Sequence, residues 1–243
     1  MQICLKNNVS KEFYKSIANF SKLEKVFDEP TANHYFIYDS NGLSFVKNSS
    51  NPNEILNIDF LKGSLGWRIK RANHERILKK ALGKSSKQLL IFDSTAGLLT
   101  DSMIFLSLGH KVVAVEQSKI LFSLVKDGLS RAEHKIPEIK NLLYLNDNSL
   151  EVYKNMSNDF DIIYLDPMFP VSKKNIKKSG KIETIKKILE LENFEDNSDS
   201  LIKNFLSLSY KKIILKRPLK HGKNYSNINY QVFGKTTRFD IYL

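Results

Sequence analysis

Four short apolar runs between residues 88 and 166, each closing on an acid, constrain the fold more than any other feature. They are QLLIFD ending at Asp93, KVVAVE ending at Glu116, NLLYLND ending at Asp147 and FDIIYLD ending at Asp166. Runs this short, with little polar alternation, read as strands buried on both faces, a property of parallel sheets. The intervals carry helical periodicity instead. TDSMIFLSL is closed by Gly109, SKILFSLVKDGLSRAEH opens on Ser118 as its N-cap, and SLEVYKNM is a shorter helix. Strands alternating with helices imply right-handed crossovers and an α/β fold.

The fourth run leads into Asp-Pro-Met-Phe-Pro, residues 166–170. Neither proline has an amide to donate and each fixes its own φ, so the sheet stops there in a stiff loop. Beyond it, IETIKKILELENF and SDSLIKNFLSLS are helical in period, YKKIILKRP is a further strand, and YQVFGKTTRFDIYL reads as two antiparallel strands joined around Gly234. A mostly parallel, Rossmann-like sheet ending in an antiparallel hairpin resembles class I S-adenosylmethionine-dependent methyltransferases, a likeness of fold that needs site chemistry to support it.

The first third says less. FIYDSNGLSFV predicts a hairpin turning at Asn41-Gly42, NIDF a further strand, and WRIKRANHERILKKALG a basic, helix-like segment. Residues 1–86 are expected to form a small α+β appendage that could contact substrate, with a seam at residues 84–87 and the methyltransferase domain over residues 87–243.

Composition narrows the class of protein. A chain of 243 residues with 42% hydrophobic content can bury a full core. Its one cysteine, Cys4, excludes an internal disulfide framework and a thiolate metal site, so no metal is expected. The apolar runs are too short to cross a bilayer, and the first residues lack the long apolar stretch of a secretion signal; a cytoplasmic location without membrane association is expected. A net charge of +12 points to a polyanion. The charge gathers in three clusters: Lys62, Arg68, Lys70, Arg71, Arg76, Lys79 and Lys80; Lys173, Lys174, Lys177, Lys178 and Lys181; and Lys211, Lys212, Lys216, Arg217, Lys220 and Lys223. Any one cluster alone reads as a solvated face, but three around one site favour nucleic acid.

Ligands on such sheets bind outside the carboxyl ends of the strands. After the first strand, Asp93, Thr95 and Gly97 belong to a small-residue turn that lets a ligand approach the backbone. Glu116 ends the second strand, where a carboxylate can accept from both hydroxyls of a ribose; capping the next helix is the competing role. Asn148 and Ser149 follow the third strand, and they suit an adenine amine or an ordinary turn equally well. At the fourth strand, Asp166 and the carbonyl of Pro167 could accept the two N–H groups of an exocyclic base amine and localise its lone pair, while Phe169 stacks on the base. An electrophilic methyl then requires alignment more than a strong base.

DSTAGLLTDSMIFLSLGHKVVAVEQ, SLVKDGLSRA, YLDPMFP, the strand ending KRP and RFDIY together resemble the bacterial ribosomal RNA small subunit methyltransferase J family, from about Ile58 to the C-terminus. The resemblance implies methyl transfer from S-adenosylmethionine to the N2 amine of one guanine in 16S rRNA of the small ribosomal subunit. It places the cofactor along Thr100, Asp101, Glu116, Gln117, Asn148, Ser149 and Asp166. The family continues its TAG turn with a further glycine and an arginine before the aspartate, where this chain has Leu98, Leu99 and Thr100 ahead of Asp101. Methylation of another nucleic-acid base amine, or a catalytically silent rRNA-binding assembly factor, are the alternatives that the residues leave open.

Overall fold

The computed structural model describes residues 1–6, 24–26, 30–51, 54–156, 159–168, 180–195, 197–219, 225 and 227–243. They group into two compact units, each discontinuous in sequence: one drawn from residues 1–61, 118–135 and 174–195, the other from 62–117, 136–173 and 196–243. Spatial grouping therefore cuts the chain elsewhere than at residues 84–87, because residues 62–86 go with the large sheet. The α-helices among the described residues are α1 (Gly63–Lys70), α2 (Arg76–Leu82), α3 (Thr100–Ser107), α4 (Lys119–Ala132), α5 (Ser149–Asn155), α6 (Gly180–Leu191) and α7 (Ser198–Leu206). None of the described helices is long and apolar enough to cross a membrane.

The first unit carries a five-stranded sheet of β1 (Gln2–Leu5), β2 (Glu24–Val26), β3 (Tyr35–Asp39), β4 (Gly42–Val46) and β5 (Ile55–Asn57), in the order β2-β1-β3-β4-β5. β1 runs parallel to β2 and β3, whereas β3, β4 and β5 form an antiparallel meander. The hairpin read from the sequence is present, with Asp39 opposite Gly42. Gly42 has φ +90°, and a Cβ there would lie 2.5 Å from the Asp127 carboxylate, so only glycine fits. Asp127 uses that closeness: it accepts from the Leu43 amide at 3.0 Å and from Arg131 at 2.9 Å. The strand expected at NIDF instead spans Ile55–Asn57, overlapping it only at Asn57, since Asp59 accepts from the Leu61 amide at 2.8 Å and turns the chain out of the sheet. Ser118 does cap α4, accepting from the Leu121 amide at 3.0 Å, and Glu192 accepts from the Lys119 amide at 2.9 Å in the same first turn.

The second unit is built on β6 (Leu90–Asp93), β7 (Lys111–Val115), β8 (Leu142–Leu145), β9 (Ile162–Leu165), β10 (Ile213–Pro218), β11 (Tyr230–Phe233) and β12 (Thr237–Tyr242), in the order β11-β12-β10-β9-β6-β7-β8. The five strands from β10 to β8 are parallel, and β12 enters antiparallel between β10 and β11. This is the α/β layout expected from the sequence, C-terminal hairpin included. Alternate residues of each run serve opposite faces. Phe92, Val113, Val115, Ile163, Leu165, Ile213 and Leu215 share a core with Ile202 and Phe205 of α7 and with Tyr153 of α5. On the other face Tyr164 packs edge-on against Phe105 of α3 at 5.0 Å between ring centroids. The strand order reverses between β6 and β9, which places a crevice at their carboxyl ends.

The basic segment before this sheet is not one helix. α1 ends at Lys70, a 3-10 turn spans Ala72–His74, and α2 follows. Asn and His are weak helix formers, and the break lets Glu75 accept from Arg68 at 2.6 Å.

Candidate active site

The loop after β6 is stitched to both neighbouring strands, β9 and β7. Ser94 donates its amide to the Tyr164 carbonyl at 3.1 Å, Ala96 to that of Val115 at 3.1 Å, and Gly97 to the Glu116 carboxylate at 2.8 Å. Gly97 sits at φ +50°, the left-handed region that glycine enters without cost. Glu116, only 9% exposed at the end of β7, thus supports the first loop with one carboxylate oxygen. Asn146 fixes the backbone beside it, donating to the Glu116 carbonyl at 2.7 Å and the Gln117 carbonyl at 3.1 Å. Gln117 itself is exposed.

Asp93 turns inward. It accepts from the Ser102 hydroxyl at 2.5 Å and from the Thr95 amide at 3.1 Å, and burial raises its pKa to about 7. Asn148 caps α5 by accepting from the Leu150 and Glu151 amides at 3.0 and 3.2 Å, and Ser149 is buried as the first residue of that helix.

At the end of β9 the backbone amide of Asp166 donates to the Thr95 hydroxyl at 2.7 Å. Lys216, from β10, bridges Asp166 Oδ2 at 2.8 Å and Asp101 Oδ2 at 2.6 Å. Asp101 also accepts from the Tyr164 hydroxyl at 2.6 Å and pairs with Arg68 at 3.4 Å. Burial raises the Asp166 carboxyl above the usual carboxylate range against the pull of Lys216, with Asp101 adding to the rise. Desolvation works the same way on Asp101, yet Lys216, Tyr164 and Arg68 together hold it below that range. Burial would depress the Lys216 ammonium, but its two carboxylates overcome this and keep it firmly charged. Asp166 Oδ1 has no partner among the described residues, and the side chain is 37% exposed.

A family model described as "Putative SAM-dependent methyltransferase" matches residues 18–243. The protein named Ribosomal RNA small subunit methyltransferase J of Desulfotalea psychrophila is 30% identical over 85% of this chain and 82% of its own length. Those of the same name from Buchnera aphidicola and Francisella philomiragia are 32% and 33% identical, covering 85% and 79% of their own lengths. The chain belongs to the ribosomal RNA small subunit methyltransferase J family. A solved SAM-dependent methyltransferase from Neisseria gonorrhoeae has the same fold, with a TM-score of 0.74 at 23% identity over 100% of this chain and 96% of its own.

As a member of the methyltransferase J family the chain takes S-adenosylmethionine as its cofactor. The strand ends suit such a group: the carboxylates of Glu116 and Asp166, with Asp147 after β8, offer acceptors for a ribose diol and an ammonium and negative charge near a sulfonium, and the Gly97 turn brings backbone close. Asp93, Thr95, Gly97, Thr100, Asp101, Glu116 and Asp166 come together in one unit at the carboxyl ends of β6, β7 and β9. All of these but Thr100 are already engaged with one another or with their neighbours: Asp93 with Ser102, Thr95 with Asp166, Gly97 with Glu116, Asp101 with Lys216 and Tyr164, and Asp166 with Lys216 as well. Pro167 is buried, and Phe169 lies outside the described residues.

The turn that opens α3 sets two demands on one residue. Leu99, the N-cap of α3, holds φ +55° while its side chain is fully buried. Sequence reasoning missed Lys216 and Arg68 as parts of the site, counting both among surface cations. The available signal was the strand context of Lys216: a lysine inside the buried run IILKRP needs a carboxylate partner.

Proposed function

We propose that the chain methylates the N2 amine of a guanine in 16S rRNA, with Asp166 as the group that receives the amine. The observation carrying this is the fixed Asp166 carboxylate: its backbone is tied to Thr95, one oxygen is tied to Lys216, and the other faces no described partner at the mouth of the crevice. An acceptor held in this way can take one N–H of the amine, and the Pro167 carbonyl the other, which localises the nitrogen lone pair and aims it. Asp166 then receives the proton that the nitrogen gives up on becoming a secondary amine. Glu116 with the Gly97 turn, joined by Gln117 and Asn148, would hold the cofactor's nucleoside, and Thr100 and Asp101 border its other end. When bound, S-adenosylmethionine supplies an electrophilic methyl. Phe169 is assigned the stacking role on the base from its place in the loop.

Four measurements test this reading. S-adenosylmethionine should raise the melting temperature where NAD does not. Asp166→Ala should lower kcat by roughly 100-fold or more while leaving rRNA affinity nearly intact. Lys216→Met should move the acid limb of the kcat profile to higher pH, because an Asp166 carboxyl already raised by burial loses its cation, and Lys216→Arg should recover part of the shift. Unchanged N2-methylguanine in 16S rRNA from a strain lacking the gene would refute the assignment.

A further inference from the structure

A single exposed apolar side chain carries little message on its own. Around the end of α1 and along α2 three features coincide. Trp67 is 60% exposed, the Arg71 guanidinium lies 4.8 Å over its ring, and Lys70 in α1 with Arg76 and Lys80 in α2 are exposed cations. Helix α1 divides its faces sharply: Gly66 and Ile69 are buried, Arg68 reaches Glu75 and Asp101, and Trp67, Lys70 and Arg71 fall at i, i+3 and i+4 on the outer side. The only acid between residues 62 and 83, Glu75, is already neutralised by Arg68, so nothing in this segment offsets the outward positive charge.

We propose that Trp67 and Arg71 form a stacking platform for an unpaired base of the substrate RNA, with Lys70, Arg76 and Lys80 gripping its phosphates. The inference rests on the reading that the substrate is RNA. An indole flanked by a guanidinium presents a flat, polarisable surface to any base, and adjacent ammonium and guanidinium groups bind the backbone regardless of sequence. The platform is also coupled to the chemistry, since Arg68, next in sequence to Trp67, contacts the Asp101 carboxylate that Lys216 joins to Asp166. A base held on Trp67 therefore sits on the helix that helps set the reactive corner.

Trp67 is the sole tryptophan of the chain, which makes its emission a direct reporter of the platform. The test titrates the full-length protein, without S-adenosylmethionine, with an oligouridylate of about ten nucleotides. Fluorescence and the anisotropy of the labelled strand are read together. Saturable quenching in step with anisotropy is expected. Trp67→Ala should weaken binding roughly 5- to 100-fold with the salt dependence unchanged, Trp67→Phe should keep most of the affinity, and Lys70→Ala should flatten the slope of log K against log salt by about 0.7. Circular dichroism of each variant controls for folding. Binding without any change in emission, or equal affinity of Trp67→Ala, overturns the proposal; so does quenching that tracks protein concentration and dimer formation in sedimentation. Quenching that persists in a preparation unable to methylate rRNA counts against the reaction at Asp166 and leaves the platform standing.

Discussion

At the scale of single residues the site is a problem in placing negative charge. Asp93, Asp101 and Asp166 crowd the carboxyl ends of β6 and β9, and one ammonium, that of Lys216, serves two of them. Asp93 pairs with no cation among the described residues. It relies on the Ser102 hydroxyl and the Thr95 amide, and its pKa is pushed up to about 7 by burial. The linkage has a definite sign. Unfolded, this carboxyl titrates near 4; folded, it holds its proton to about 7, so between those values the native state binds the extra proton. Stability from this group is greatest below pH 4 and declines as pH rises to 7, by an amount on the order of a few kcal/mol. Asp93→Asn, which stays neutral, should flatten the denaturation midpoint between pH 4 and 7. Equal pH slopes for the two proteins would mean that Asp93 ionises normally.

At the scale of elements, burial on both faces made β6, β7 and β9 legible as apolar runs, and β8 also falls inside its run although, as the edge strand, it is only partly buried and leaves Leu143 exposed. The segment around β5 was less so. Ile58 and Phe60 are buried beside a polar Asp59, which mimics strand alternation although the chain has left the sheet. The site was legible only where it lies at strand ends. Pairing Lys216 with Asp101, 115 positions away, or Arg68 with Asp101, 33 away, is decided by the sheet order, and no local pattern encodes it. The start of α3 shows two local demands in conflict. Its N-cap needs a left-handed backbone, which costs leucine about 1 to 2 kcal/mol, while the position itself is fully buried, and emptying a buried leucine site costs about 2 to 5 kcal/mol. Burial outweighs the backbone strain. Leu99→Gly should therefore destabilise by about 1 to 3 kcal/mol in urea denaturation despite matching the backbone. A more stable variant would show that strain dominates at this turn.

For the whole molecule, a net charge of +12 suggests that any cation would contribute to holding RNA, yet the structure divides the cations into two kinds. In the third basic cluster Lys211 pairs with Asp159 at 2.6 Å and Asp161 at 3.3 Å, Lys212 donates to the Ala81 and Leu82 carbonyls at the end of α2, Lys216 bridges two carboxylates, and Arg217 is buried against Asp240 at 3.0 Å. Those charges are committed within the fold. The first cluster differs, with Lys70, Arg71, Arg76 and Lys80 exposed beside an already paired Glu75. The salt dependence of RNA binding counts phosphates neutralised at the contact, at about 0.7 in log-log slope for each in a single strand, and it is insensitive to total charge. Lys80→Ala should therefore lower the slope by about that amount, whereas Lys211→Ala, with the same loss of formal charge, should leave it unchanged. Equal effects from the two would mean that RNA responds to the net charge of the protein and that the division between committed and outward-facing lysines has no bearing on binding.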